Sequence, residues 1–328
     1  MPALKIPRSF LAIPALLAAA AVNGQEWQPV EAQLAESYAG KSYSPYAERR
    51  FPEHPLWGDS HLHTSLSMDA GGFGNRLGLH EAYRFARGEE VTASSGQRVR
   101  LGQPLDWLAI TDHSDGMGFI VDTLAGSPLV TRFEQGARWS EGMRAGGQTA
   151  VNATLDLIKN VSQNTVDKEL MAQYSPGSRR YATVWDEVID AAEAFNEPGE
   201  FTTLIGFEWT SLVKGGNMHR NVIFRDGADR ARQVVPFTML PPIGSQDPLD
   251  LYAYLEAYEE KTNGAVMALA HNGNLSNGIM FPVDKQYSGR RIDKAYVEQR
   301  ARWERTYEVT QIKGDGETHP FLSPDDEF

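Results

Sequence analysis

The 328-residue chain predicts an α/β fold of largely parallel strands alternating with helices, in the form of a barrel or an open sheet. Three observations carry that expectation. First, Trp107–Ile110, Thr203–Ile205 and Ala265–Leu269 are continuous apolar runs, the pattern of strands buried on both faces. Second, segments of helical periodicity separate them, as right-handed crossovers between parallel strands require. Third, Asp112 and His113, Glu208, and His271 directly follow or close these runs. In such folds the ligand site lies just beyond the carboxyl ends of the strands.

Taken in order, the pattern predicts strand 56–63, helix 78–88, strand 105–112, a helical stretch over 131–172, helix 181–196 and strand 202–209. Strand 219–224, helix 247–261, strand 265–270, helix 291–304 and strand 306–311 follow. The polar stretch 131–172 carries no chemical motif. It reads as an insertion, either a lid or a decoration, and decoration is the preferred reading. Residues 1–24 read as an export signal, with basic Lys5 and Arg8, an apolar run from Phe10 to Val22 and small residues at Val22–Gly24. That run is too short to anchor the chain in a bilayer, so the protein is expected in the periplasm or outside the cell. Residues 25–55 read as a leader, and the domain as 56–328. About six strands precede Phe328, whereas a closed barrel needs more, so the C-terminal part is expected to be missing.

Composition removes several classes. Hydrophobic residues make up 41% and charged residues 23%, a globular balance. A net charge of -12 argues against nucleic acid as a partner. Without any cysteine there are no disulfides, thiolate metal sites or cysteine nucleophiles. His80-Glu81 lacks the second histidine of a His-Glu-x-x-His helix, and neither a nucleophile elbow nor a P-loop is present. Ser60 and His61 are adjacent on a strand and point to opposite faces, which excludes them as a nucleophile–base pair.

What remains is a concentration of histidine. Five of the eight lie in motifs near strand ends: His61, His63, His113, His219 and His271. His61 and His63 sit two apart on a strand, so both imidazoles face one side and can converge on a divalent ion. Asp69, in a glycine-rich turn, can fold a carboxylate back toward them, although alone it reads as a turn or cap residue. Asp112 and His113 are delivered to a loop together, His113 as ligand and Asp112 as ligand or support for one. Glu208 ends a strand among bulky apolar residues, where a carboxylate needs a metal or a cation; a bridging role fits, and a salt bridge to Lys214 or Arg220 is the plainer alternative. The loop holding Lys214, His219 and Arg220 supplies a ligand and two cations for an oxyanion.

The ordered motifs His61-x-His63, Thr111-Asp112-His113, Gly206-x-Glu208, His219 and Ala270-His271-Asn272 resemble the polymerase and histidinol phosphatase (PHP) type of metal-dependent hydrolase. The stretch from Leu56 to Glu317 is also similar to a large, uncharacterised family of exported bacterial PHP relatives. The resemblance implies a distorted seven-stranded β/α barrel holding two or three divalent ions (Mn, Zn or Fe) that activate water against a phosphoester. By position, it implies His61, His63 and Glu208 at one ion, Glu208, His219 and His271 at a second, and Asp69 and His113 at a third. Asp69 stands where the family often has histidine, and the family's final Asp-x-His motif is missing. The expected protein is therefore a phosphoesterase acting on a small anionic ester, with Arg220 or Lys214 neutralising the transferred group. Hydrolysis of another ester, an amide or a sulfate, and non-catalytic metal or ligand binding, are the alternatives.

Overall fold

The computed structural model describes residues 55–240 and 243–316. The expected export segment, nearly all of the leader and the last twelve residues lie outside them. The centre is a curled five-stranded sheet, half of a barrel, built from β1 (Gly58–Leu62), β2 (Trp107–Ile110), β3 (Thr202–Trp209), β4 (Arg220–Phe224) and β5 (Val266–Ala270) in that spatial order. β1, β2 and β3 pair in parallel. β4 runs antiparallel to both β3 and β5, which departs from the parallel pairing that the alternation of strands and helices implies. The reason is local: only the short hairpin Leu212–Val213/Gly216–Asn217 separates β3 from β4, too little chain for a crossover. The strand expected over 306–311 is reduced to one parallel bridge between Ala270 and Tyr307 and a two-residue pairing, Thr310–Gln311 with Gly314–Asp315.

The helices form where caps and periodicity coincide. After α1 (Met68–Gly72) and α2 (Leu79–Ala86) come α3 (Phe119–Ala125), α4 (Glu134–Ala145) and α5 (Gly147–Ser162). α6 (Arg179–Phe195) begins at Ser178, whose hydroxyl accepts from Tyr181 N. α7 (Pro248–Thr262) has Asp247 as cap and proline at its first position, and α8 (Lys294–Trp303) is capped by Asp293.

Strand alternation divides the sheet into two chemically different faces. Phe207, Val222, Phe224 and Ala268 pack against Trp185 and Val188 of α6 and Leu251, Leu255 and Tyr258 of α7 as the main core. Glu208 and its cross-strand partner Asn221 point to the other face. A second apolar cluster joins α3, α4 and α5 through Phe119, Ile120, Trp139, Met143, Leu157 and Val161. This layer is tied to α1, because Thr154 of α5 donates to Gly72 O at 2.8 Å.

Candidate metal centre

Glu208 is fully buried, and the five histidines surround it. Successive ring centroids lie 5.0 Å apart (His61–His63), 4.7 Å (His63–His113), 5.6 Å (His113–His219), 5.6 Å (His219–His271) and 4.0 Å (His271–His61), a closed circuit. Topology explains the convergence. His63, His113 and His271 follow the ends of β1, β2 and β5, and Glu208 lies near the end of β3. His219 precedes β4, and because β4 is reversed its start lies at that same edge, with Arg220 paired to Trp209 and Ala270.

The carboxylate oxygens of Glu208 divide the rings between them. Oε2 lies 2.7 Å from His63 Nε2 and 3.5 Å from His61 Nε2. Oε1 lies 2.5 Å from His219 Nδ1, 3.1 Å from His271 Nε2 and 3.5 Å from His113 Nδ1. Asp69 forms a second acidic point: Oδ1 is 3.0 Å from His63 Nδ1 and Oδ2 is 3.3 Å from His113 Nε2. Asp69 sits in the first turn of α1, where Oδ1 also accepts from Ser67 Oγ and Ala70 N. Three sets bring their ligand atoms within 4.8 Å of one another: His61, Glu208 and His271; His63, Asp69 and His113; and His113, Glu208 and His219. The partition implied by resemblance differs, since it placed His63 beside His61 and set His219 and His271 together.

The donor set fits divalent metal. Among the described residues, His63 Nε2, Glu208 Oε2, both nitrogens of His219 and His271 Nδ1 are buried with no hydrogen-bond partner. His63 Nε2 and Glu208 Oε2 are in close contact without hydrogen-bond alignment, so proximity alone does not satisfy them. Each orphaned polar atom costs about 1–3 kcal/mol, a penalty that metal coordination removes.

Electrostatics follow from burial against charge. Burial pushes the Glu208 carboxyl up, but the surrounding histidines outweigh it and hold it well below the usual range. For His61 burial pulls down, and Glu208 and Glu308 outweigh it, raising the ring to about 9. His63 is raised to about 10 against burial by Glu208 and Asp69. In His219 burial wins over Glu208 and lowers the ring to about 3, and His271 is lowered for the same reason.

Several expected site residues are placed elsewhere. Asp112 joins none of the three sets: its oxygens accept from Thr64 N at 2.6 Å and Thr64 Oγ1 at 2.7 Å, locking the turn that follows His63. Arg220 alternates with His219 and therefore faces the helices. Its Nε donates to Glu304 Oε1 at 2.7 Å and its guanidinium to Met218 O, so it is bound by the scaffold rather than offered to a substrate. Lys214 is exposed at the tip of the hairpin, where it and Gly215 both have positive φ, a two-residue turn. Neither its salt bridge nor that of Arg220 to Glu208 forms.

Two other groups take up positions the sequence reading did not assign. Both Glu308 oxygens lie within reach of His61 Nδ1, at 3.0 and 3.1 Å, and Lys313 Nζ is 3.6 Å from Asp69 Oδ2. The rule that ligands follow strand ends points to Glu308 once the extended stretch is cut back to Tyr307. Lys313 has no comparable signal.

A cavity of about 190 Å³ opens beside Asp69, His113 and His219, walled by Met68, Ile158, Val161, Leu212 and Met239, with Lys313 among its lining residues. Ile158 and Val161 belong to α5, so the segment read as decoration forms part of the wall. A larger cavity of about 730 Å³ is lined by none of the cluster residues, whereas the smaller one borders the cluster directly.

The family model for DUF3604, a protein of unknown function, matches residues 50–328, and the chain belongs to that family. No curated protein and no solved structure matches the chain.

Proposed function

We propose that the chain is an exported metal-dependent hydrolase, most simply a phosphoesterase acting on a small anionic ester. The observation that carries this reading is the closed circuit of five histidines around one buried, shared carboxylate, with orphaned lone pairs that a divalent ion would satisfy. Manganese, zinc or iron suits the imidazole and carboxylate donors. Two or three ions held by His61, His63, Asp69, His113, Glu208, His219 and His271 would supply Lewis acidity and lower the pKa of a water. The finer expectation, a distorted β/α barrel of seven strands, belongs to the same proposal.

The chain's own groups have separable tasks. Glu308 accepts from His61 Nδ1, which leaves Nε2 as the lone pair facing Glu208. Asp69 and Ser67 orient His63 in the same way through Nδ1. Lys313 places an ammonium beside Asp69, where an incoming anion would sit, and so takes the task expected of Lys214 and Arg220. Water and the monoester are consumed; the bond from phosphorus to the organic oxygen breaks, a bond to the water oxygen forms, and the alcohol leaves with a proton. Metal storage, the non-catalytic alternative, calls for closed sites. The open cavity against Asp69, His113 and His219 favours catalysis. Among the described residues no helix is long and apolar enough to cross a membrane.

Elemental analysis and hydrolysis of 4-nitrophenyl phosphate, with the sulfate and acetate esters in parallel, test the proposal. Two or more ions per chain with phosphate turnover are expected, both lost in Glu208→Gln while circular dichroism is retained. A Glu208→Gln protein that keeps its metal and its turnover would remove the bridging role. A preference for the sulfate or acetate ester would move the reading to that chemistry.

A further inference from the structure

We infer that the 190 Å³ cavity beside Asp69, His113 and His219 is a leaving-group pocket for a single aromatic ring, which makes the substrate a small monoaryl ester of an anionic acid. The inference rests on the proposed hydrolase reading and narrows its substrate class.

Position, size and chemistry of the wall support it. The cavity shares Asp69, His113 and His219 with the cluster, so a group bound there adjoins the reacting centre. Apart from Thr210, whose hydroxyl is engaged with His113 Nδ1, the wall away from the cluster is mainly apolar and comes from separate segments: Met68 from α1, Ile158 and Val161 from α5, Leu212 from the hairpin and Met239 from the loop before α7. Asp115 also lines it, but both its oxygens accept from Met239 N, at 3.1 and 3.2 Å, so this carboxylate positions Met239. Lys313 adds a cation at the side of Asp69. The two ends of the site thus suit an anionic head and an apolar body.

Volume limits the body. A cavity of about 150 Å³ holds benzene, whereas larger organic ligands need about 300 Å³ or more. A single ring fits the volume here; a nucleoside or fused ring system does not. Two methionine thioethers among five apolar wall residues favour an aromatic ring over an alkyl chain, because sulfur makes attractive contacts at ring edges and the flexible side chain closes around a flat group.

The test is calorimetric binding of benzylphosphonate, methylphosphonate and hexylphosphonate to the metal-loaded protein, none of which can be hydrolysed as an ester. Burying roughly 80–90 Å² of ring surface corresponds to about 30-fold in affinity, the expected ratio of benzyl to methyl. In Ile158→Trp the indole fills the cavity, and the ratio should fall to about threefold. Leu212→Trp blocks it from the separate hairpin and should do the same if the first substitution disturbs α5. A wild-type ratio near one, a ratio unchanged in both blocked variants, or tighter binding of hexylphosphonate would each overturn the aromatic pocket while leaving the hydrolase reading in place. If a protein holding two or more ions binds no phosphonate at all, the anionic-ester reading itself fails and the pocket assignment falls with it.

Discussion

Replacing Arg220 with methionine tests whether its guanidinium serves the scaffold or a substrate. The sequence offers it as a cation for the transferred group; the structure buries it against Glu304, with the two side chains 1% and 3% exposed. In Arg220→Met, Glu304 Oε1 keeps the Tyr252 hydroxyl at 2.6 Å, and Oε2 keeps Arg300 at 3.0 Å, but the 2.7 Å partner is lost. Met218 O also loses its donor. Removing one member of a buried pair typically costs about 3–5 kcal/mol, and the remaining Arg300 places this case near the lower end, at roughly 3 kcal/mol. For a domain of this size that is a fall of about 6–12 °C in melting temperature.

Urea unfolding of the metal-free protein measures the loss directly. The double variant Arg220→Met, Glu304→Leu removes both charges and should recover most of it, since Arg300 is 17% exposed, lies over the Phe281 ring and can turn to water. Metal content should survive in the double variant, because neither group belongs to the ligand sets. If Arg220→Met leaves the urea midpoint unchanged but abolishes turnover or phosphonate binding, the guanidinium reaches the substrate and the assignment made from strand alternation is wrong.

Metal loading should release protons. His61 and His63 stand at about 9 and about 10, so both carry protons at pH 7 that an ion must displace, whereas His219 and His271, lowered by burial, are already neutral. Calorimetry in two buffers of different ionisation enthalpy should show close to two protons released at pH 7, with affinity rising until pH passes about 10; no release would refute the assignment. In the metal-free protein the raised pair contributes stability that is full below their ordinary value and lost as pH rises through about 9 and 10. The depressed Glu208 and Asp69, and the lowered His219, contribute stability that is lost instead as pH falls, so urea midpoints should peak between these limits. Glu308→Gln should weaken metal binding about 10- to 100-fold with little effect on folding, as loss of an orienting carboxylate does; unchanged affinity would show that His61 needs no such partner. Lys313→Ala should raise KM for an anionic ester, and Lys214→Ala should change it by less than about twofold; the reverse order would return the anion to the hairpin.

The parts of the site that could be read in advance are those set by short-range rules. Glu208 was visible because an apolar run delivers a carboxylate where none belongs without a partner, and His61 and His63 because strand period makes them neighbours. What escaped depends on distant chain. Glu304 is 84 residues from Arg220, and Glu308 is 247 from His61. Asp112 stands out as a carboxylate that an apolar run delivers to a loop, but whether it meets a metal or Thr64 is decided by how the turn after β1 folds. The wall from α5 escaped because its apolar residues look the same whether they close a helical layer or line a cavity.

The reversal of β4 also bears on how the centre is assembled. In an all-parallel sheet a residue before a strand lies at the opposite edge from the residues after its neighbours, so His219 could not join His271. Reversal by a short hairpin brings it to that edge, and alternation then sends His219 toward Glu208 and Arg220 toward Glu304. A one-residue slip of His219 and β4 together against β3 and β5 would exchange those faces, turning a cation toward Glu208 and an imidazole toward Glu304. The ion pair on the helical side therefore does more than hold β4 to α7 and α8: it disfavours the slipped register, because Glu304 would lose its buried cation as Glu208 loses a ligand. The scaffold salt bridge and the metal centre specify the same strand register from opposite faces of the sheet.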